Sequence, residues 1–152
     1  METKKTLKVS ALENGTVIDH IPADALFTVI KILDLDDCVN PITFGTNLDS
    51  KKFGKKGIIK VSNRYFRKEE VNKIALVAPT ASLIEIRNFE ITSKQQVEIP
   101  DVVEGYVKCI NPKCVTNHQN VPRKFYVVSH QDLTLKCHYC EKFTKKESIQ
   151  IL

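Results

Sequence analysis

Along the first hundred residues the hydrophobic positions change period several times. Leu7, Val9 and Ala11 alternate with polar or small residues, the two-residue period of a strand, and Glu13-Asn14-Gly15 supplies a turn. Val17-Ile18-Asp19-His20 stays extended toward Pro22, which suits a first helical turn because its missing N–H costs little there. Leu26, Val29, Ile30 and Leu33 then fall on one helical face, with Asp24 near the positive end of the helix dipole. Residues 42–48, rich in β-branched side chains, and 58–61 predict two strands. Residues 67–78 predict a second helix, with Val71, Ile74, Ala75 and Ala78 on one side, Glu69 and Glu70 in the first turn, and Pro79 as its stop. Strands are expected again at 83–86 and 89–91. The order β-α-β-β-α-β predicts an α+β fold: a ferredoxin-like antiparallel sheet with two helices on one face.

The pattern changes after Val97-Glu98-Ile99-Pro100-Asp101. Pro100 cannot donate a ladder hydrogen bond and suits a strand end or linker. Beyond it the chain offers only short strands, at 105–109, 124–128, 133–137 and 148–152. The expected organisation is a first domain over 1–100 and a small all-β domain over 101–152. About fifty residues of short strands make a thin core, so the second domain needs a staple.

Four cysteines provide one. Cys109-x4-Cys114 is followed by 22 residues and then Cys137-x2-Cys140. Two cysteine pairs on two loops give four thiolates at one point, the donor set of a closed tetrahedral zinc site. Asn111-Pro112 favours the turn that brings Cys114 back toward Cys109. The N-terminal stretch has no signal-peptide core and no run of 18 apolar residues occurs, which points to the cytoplasm. Thiols stay reduced there, so the cluster reads as one structural Zn2+ per chain rather than two disulfides. Four sulfur ligands leave no open position for catalysis, and the H-x-E triplet of zinc deaminases is absent. His118, His130 and His138 are read as surface or supporting groups, and Cys38 as a lone thiol at a helix end.

Charge sharpens the reading of the first domain. The net charge of +5 is spread thinly over 23 basic and 18 acidic residues, short of a general nucleic-acid binder. It is nevertheless clustered, because residues 51–68 hold eight basic residues and no acid. Lys51, Lys52 and Lys55 suit a solvated face. Lys56 and Lys60 flank a predicted strand at a spacing of four, which puts both on one face. Point charges so placed suit a polyphosphate. An acid near them, such as Asp19 beside His20, would hydrogen-bond a sugar hydroxyl or an amine. No P-loop is present, since Gly54-Lys55-Lys56-Gly57 lacks the required pattern.

Three stretches carry a resemblance. Gly15-Thr16-Val17-Ile18-Asp19-His20-Ile21-Pro22-Ala23, Ala75-Leu76-Val77-Ala78-Pro79 and Leu135-Lys136-Cys137-His138-Tyr139-Cys140-Glu141, in that order, strongly resemble the regulatory chain of aspartate carbamoyltransferase. The resemblance covers nearly the whole length. It implies a non-catalytic allosteric subunit whose first domain binds nucleotide effectors (ATP, CTP, UTP) and whose zinc domain docks on the catalytic chain. Regulatory homodimers would bridge catalytic trimers and carry feedback control of pyrimidine biosynthesis. By position, Val9, Ala11 and Leu12 correspond to base and ribose contacts, Asp19 to the ribose-binding acid, and His20 to a neighbour of the phosphates. Lys60 corresponds to a base and ribose contact and Lys56 to a phosphate contact. Phe89, Ile91 and Lys94 match the far wall, and Cys109, Cys114, Cys137 and Cys140 the zinc ligands. The chain departs from the best-known family pattern at Ser10, where that pattern has an acid, at Phe89, where it has Tyr, and at Ile84, where it has Asn.

The alternative is a zinc-ribbon protein that binds nucleic acid. Only two short basic pairs, Arg123-Lys124 and Lys145-Lys146, lie in the zinc domain, and the adjacent Phe125 and Tyr126 would face opposite sides of a strand. No nucleophile–base pair or open metal site points to an enzyme.

Overall fold

Thr16, Val17 and Ile18 are buried one after another, as befits a strand with neighbours on both edges. They lie in β1 (Gly15–Pro22), the middle strand of the first sheet. The structure, a computed structural model, describes residues 11–51 and 54–152. The strand expected at 7–11 falls mostly outside them, and Ala11 and Leu12 are not in a strand. The central strand is instead the segment expected only to extend toward a helix. Pro22 closes it, paired with Lys56, rather than opening the helix.

The chain divides into two compact units, Met1–Val97 and Glu98–Leu152. In the first, β1 is followed by a 3-10 turn (Ala23–Ala25), α1 (Leu26–Ile32), β2 (Ile42–Ser50), β3 (Gly54–Ser62), α2 (Lys68–Val77), β4 (Ser82–Arg87) and β5 (Glu90–Gln96). The sheet order is β2-β3-β1-β4-β5, and every pairing is antiparallel. The first four strands have the ferredoxin-like order, and β5 adds a fifth at the edge.

One face of this sheet carries the helices. Gly57, Ile59 and Val61 alternate on β3 and are buried, and a Cβ on Gly57 would stand 2.8 Å from Leu26 Cδ1 of α1. Ile18, Ile21, Leu26, Val29, Ile59, Val61, Ile74 and Leu76 are fully buried and form the core. Each contributes about 1.5–3 kcal/mol by burial. Glu70 of α2 accepts a hydrogen bond from the Arg67 N–H at 3.1 Å, satisfying a helix-end donor, and pairs with Arg64 at 3.0 Å. At the start of β1, Gly15 (φ 142°) lies against β3, and a Cβ there would collide with the Val61 carbonyl oxygen.

Phe89 was expected in a strand but sits in the turn between β4 and β5. Asn88 (φ 52°) and Phe89 (φ 65°) are both left-handed, the geometry of a type I′ hairpin.

The second unit contains β6 (Val102–Glu104), β7 (Val107–Lys108), β8 (Lys124–Ser129), β9 (Thr134–Cys137), β10 (Phe143–Lys145) and β11 (Gln150–Ile151). β10-β9-β8-β6 form one sheet and β11-β7 a two-stranded ribbon. Its apolar core is small: Val103, Val107, Phe125, Leu133 and Leu135. β6 and β10 were not expected from the sequence. Leu133 (φ 44°) precedes β9 rather than beginning it.

Candidate functional site

The second unit is organised around sulfur. Cys109, Cys114, Cys137 and Cys140 place their Sγ atoms within 4.8 Å of one another, and none is in a disulfide. Cys109 and Cys140 sulfurs are 3.6 Å apart, and those of Cys114 and Cys137 3.7 Å. A disulfide would need about 2.05 Å. A tetrahedron of Zn–S bonds of about 2.3 Å has edges of about 3.8 Å, so the spacing fits zinc.

Backbone turns make this geometry. Cys114 N–H donates to Asn111 O at 3.0 Å, the turn expected at Asn111-Pro112, and Glu141 (φ 62°) donates its N–H to Cys137 O at 3.0 Å. The Asn117 amide donates to Cys109 O and Asn111 O, tying the first loop to itself. The Thr116 hydroxyl lies 3.2 Å from Cys114 Sγ. Sequence reasoning did not single out Thr116 or Asn117, whose polar groups matter only once the loop closes. His138 lies between two ligands but its Nδ1 pairs with the Tyr126 hydroxyl at 2.8 Å, and His118 Nε2 lies 2.6 Å from Pro112 O.

Burial pushes the Cys109 and Cys137 thiols up, and neighbouring sulfurs add to it. Burial also works to raise Cys140, but the Lys142 N–H, the Asn111 side chain and the Cys109 and Cys137 thiols together outweigh it and hold that thiol at about 7. The cysteines would hold the metal as thiolates, so binding releases protons and weakens in acid.

The other candidate site lies on the face of the first sheet away from the helices. Residues paired across strands share a face, and the registers give a row running Thr43, Lys60, Val17, Ile84, Lys94 over all five strands. Lys60 and Lys94 thus flank an apolar strip of Val17 and Ile84. The β1 register slips between Ile18 and Ile21, where His20 (φ 57°) forms a bulge. Asp19 Oδ1 accepts from Lys56 Nζ at 2.8 Å and from the His20 N–H at 2.7 Å. Burial alone would raise the Asp19 pKa, but those two donors hold it below the usual carboxylate value. Burial lowers Lys60, with Asp19 partly opposing the shift.

The sheet therefore brings Asp19, His20, Lys56 and Lys60 together and puts Lys94 in line with Lys60. Phe89 and Ile91 lie toward the hairpin end, 64% and 63% exposed. Ala11 and Leu12 reach that end through their neighbours: Glu13 O accepts from the Phe89 N–H and Asn14 Oδ1 from the Asn88 N–H. Val9 and Ser10 lie outside the described residues.

Among the described residues no helix is long and apolar enough to cross a membrane. Comparison with known proteins matches residues 7–98 to the aspartate carbamoyltransferase regulatory chain, allosteric domain, and residues 101–150 to the metal binding domain of the same chain. The chain is 51% identical over 151 residues to the aspartate carbamoyltransferase regulatory chain of Bacteroides thetaiotaomicron, covering 99% of each. It is 50% identical over 151 residues to that of Bacteroides fragilis, again covering 99% of each. The Pyrococcus abyssi protein of the same name is 50% identical over 145 residues, which is 94% of this chain and 95% of that one. With the metal-binding cysteines and the two-unit layout in place, the chain belongs to the aspartate carbamoyltransferase regulatory chain family, a non-catalytic subunit.

Proposed function

We propose that this chain carries nucleotide feedback to the catalytic chain of aspartate carbamoyltransferase, and so controls pyrimidine biosynthesis. In this reading residues 1–100 are the effector domain and residues 101–152 dock the catalytic chain. The chain works in the cytoplasm as a homodimer of regulatory chains.

The observation that carries the effector site is the row Lys60–Val17–Ile84–Lys94, with Asp19 and Lys56 paired beside it. An apolar strip suits a base and ribose, Asp19 a ribose hydroxyl, and Lys56, Lys94 and His20 the phosphates of ATP, CTP or UTP. Phe89 supports the same reading. A left-handed aromatic in a hairpin turn costs about 1–3 kcal/mol, and such strain persists where a side chain is needed. Val9, Ala11, Leu12 and Ile91 complete the pocket around the base. Effector binding regulates by favouring one of two states of the assembly.

Lys60→Ala tests this. The variant should assemble with the catalytic chain as the wild type does, and its aspartate response should no longer shift with ATP or CTP. Loss of assembly would instead assign Lys60 a structural role. A nucleotide response equal to wild type would remove it from the site.

A further inference from the structure

Beside the metal cluster the second unit has a cavity of about 520 Å³, lined by Lys108, Cys109, Ile110, Asn117, Arg123 and Gln150 among others, none of them acidic. We propose that this cavity receives a carboxylate side chain, Asp or Glu, of the catalytic chain, held between Lys108 and Arg123. The proposal rests on the docking role assigned above to the second unit and names the chemistry of that contact.

Three observations converge on it. Both cations are available. Among the described residues the Arg123 guanidinium has one hydrogen-bond partner, Asn117 Oδ1 at 3.3 Å from Nη1, and the Asn117 amide is itself anchored on Cys109 O and Asn111 O. A neutral amide leaves the guanidinium charge uncompensated. Lys108 is exposed and its side chain has no hydrogen-bond or ion-pair partner among the described residues. Its cross-strand neighbour on β11 is Gln150, also neutral.

The cations do not serve the metal ligands. The recorded neighbours of the four sulfurs are each other, the Thr116 hydroxyl, the Asn111 side chain and backbone N–H groups, with no lysine or arginine side chain among them in the described residues.

A neighbouring cavity makes the contrast. It also touches Arg123, but there Glu104, opposite Lys124 across β6 and β8, already supplies a carboxylate. The 520 Å³ cavity has no such acid.

The choice of a protein carboxylate over a free anion follows from the surroundings. Ile110 is 43% exposed beside the cations, giving an apolar rim for the stem of a side chain. The planar guanidinium fork matches a carboxylate in two parallel hydrogen bonds. The loop 109–118 that builds the cavity is closed by the metal cluster, so metal loading and this contact form together.

The test uses the full chain loaded with zinc and the catalytic chain, with affinity measured by calorimetry between about 50 and about 300 mM salt. The double variant Lys108→Gln and Arg123→Gln should bind at least about tenfold more weakly at low salt and lose most of the salt dependence, while keeping its zinc. Arg123→Lys, which keeps charge but loses the fork, should fall between. Unchanged affinity and salt dependence in a zinc-loaded double variant would overturn the proposal. So would inorganic phosphate shifting the NMR signals of Lys108 and Arg123 while the double variant assembled normally, since the cavity would then be a free-anion site. If the wild-type chain itself failed to bind the catalytic chain, the docking role would fall instead.

Discussion

The two units of this chain reach stability by different means. Among the described residues the first buries eight large aliphatic side chains completely between a five-stranded sheet and two helices. The second has a few buried apolar residues and four sulfurs drawn to one point. The first spreads its stability over many groups, because the hydrophobic effect is roughly proportional to the apolar area buried. The second concentrates its stability in one centre. The difference also divides the chemistry: the sheet face of the first unit gathers Asp19, Lys56 and Lys60, while Asn111, Thr116 and Asn117 of the second shape the metal knuckle.

Metal removal is the strongest way to break this comparison. A structural zinc contributes about 10–16 kcal/mol of apparent binding energy, more than a fifty-residue β unit otherwise has. A chelator, or Cys114→Ser, should abolish amide-exchange protection in the second unit and leave that of β1, β3 and α2 intact. Survival of protection in β8 and β9 without metal would show that the apolar core of the second unit suffices alone.

A smaller effect belongs to the Asp19–Lys56 pair. The Asp19 pKa is lower folded than the ordinary 3.8, so the pair stabilises the first unit above that value. The contribution is lost as pH falls through the depressed value. Asp19→Asn should cost about 1–3 kcal/mol near neutrality, because Lys56 loses the opposite charge it pairs with and keeps at most a neutral acceptor. The variant should lose less stability than the wild type between about pH 6 and about pH 3. Thermal melts at the two pH values read this directly. A variant with the wild-type acid dependence would mean that other carboxylates carry it.

The smallest effect sharpens the comparison in the opposite direction. Phe89→Gly places the residue that a type I′ turn favours at φ 65°, and should stabilise the first unit by about 1 kcal/mol. Its nucleotide affinity should fall. A loss of stability would show that the Phe89 ring packs usefully despite its exposure.

The sequence conveyed some of this and not the rest, for reasons that particular residues make plain. Both helices could be read because one side of each is periodic, and Arg67 and Ala78 mark the ends of α2 where expected. The zinc cluster could be read because four thiolates in two pairs admit few other arrangements. The central strand was obscured because Thr16, Val17 and Ile18 are buried on both faces and show no alternation, and Asp19-His20 then breaks the ladder with a bulge. Phe89 reads as a strand residue because aromatic residues favour strands, and nothing local announces a left-handed Phe. β6 and β10, at three residues each, are too short for a period to appear. Lys108 and Arg123 are fifteen positions apart and line one cavity only in the folded unit.

The spacing of the knuckle also sets a schedule. Its sulfurs come from both sides of a long stretch, Cys109 and Cys114 before it and Cys137 and Cys140 after. The first unit has all its strands once Gln96 has left the ribosome, and domains generally fold as units during synthesis. The second cannot close until Cys140 has been made and an ion has arrived. Metal supply thus acts as a gate on maturation: in a zinc-starved cell, newly made chains would accumulate half-folded, with the first unit complete and the second awaiting its ion.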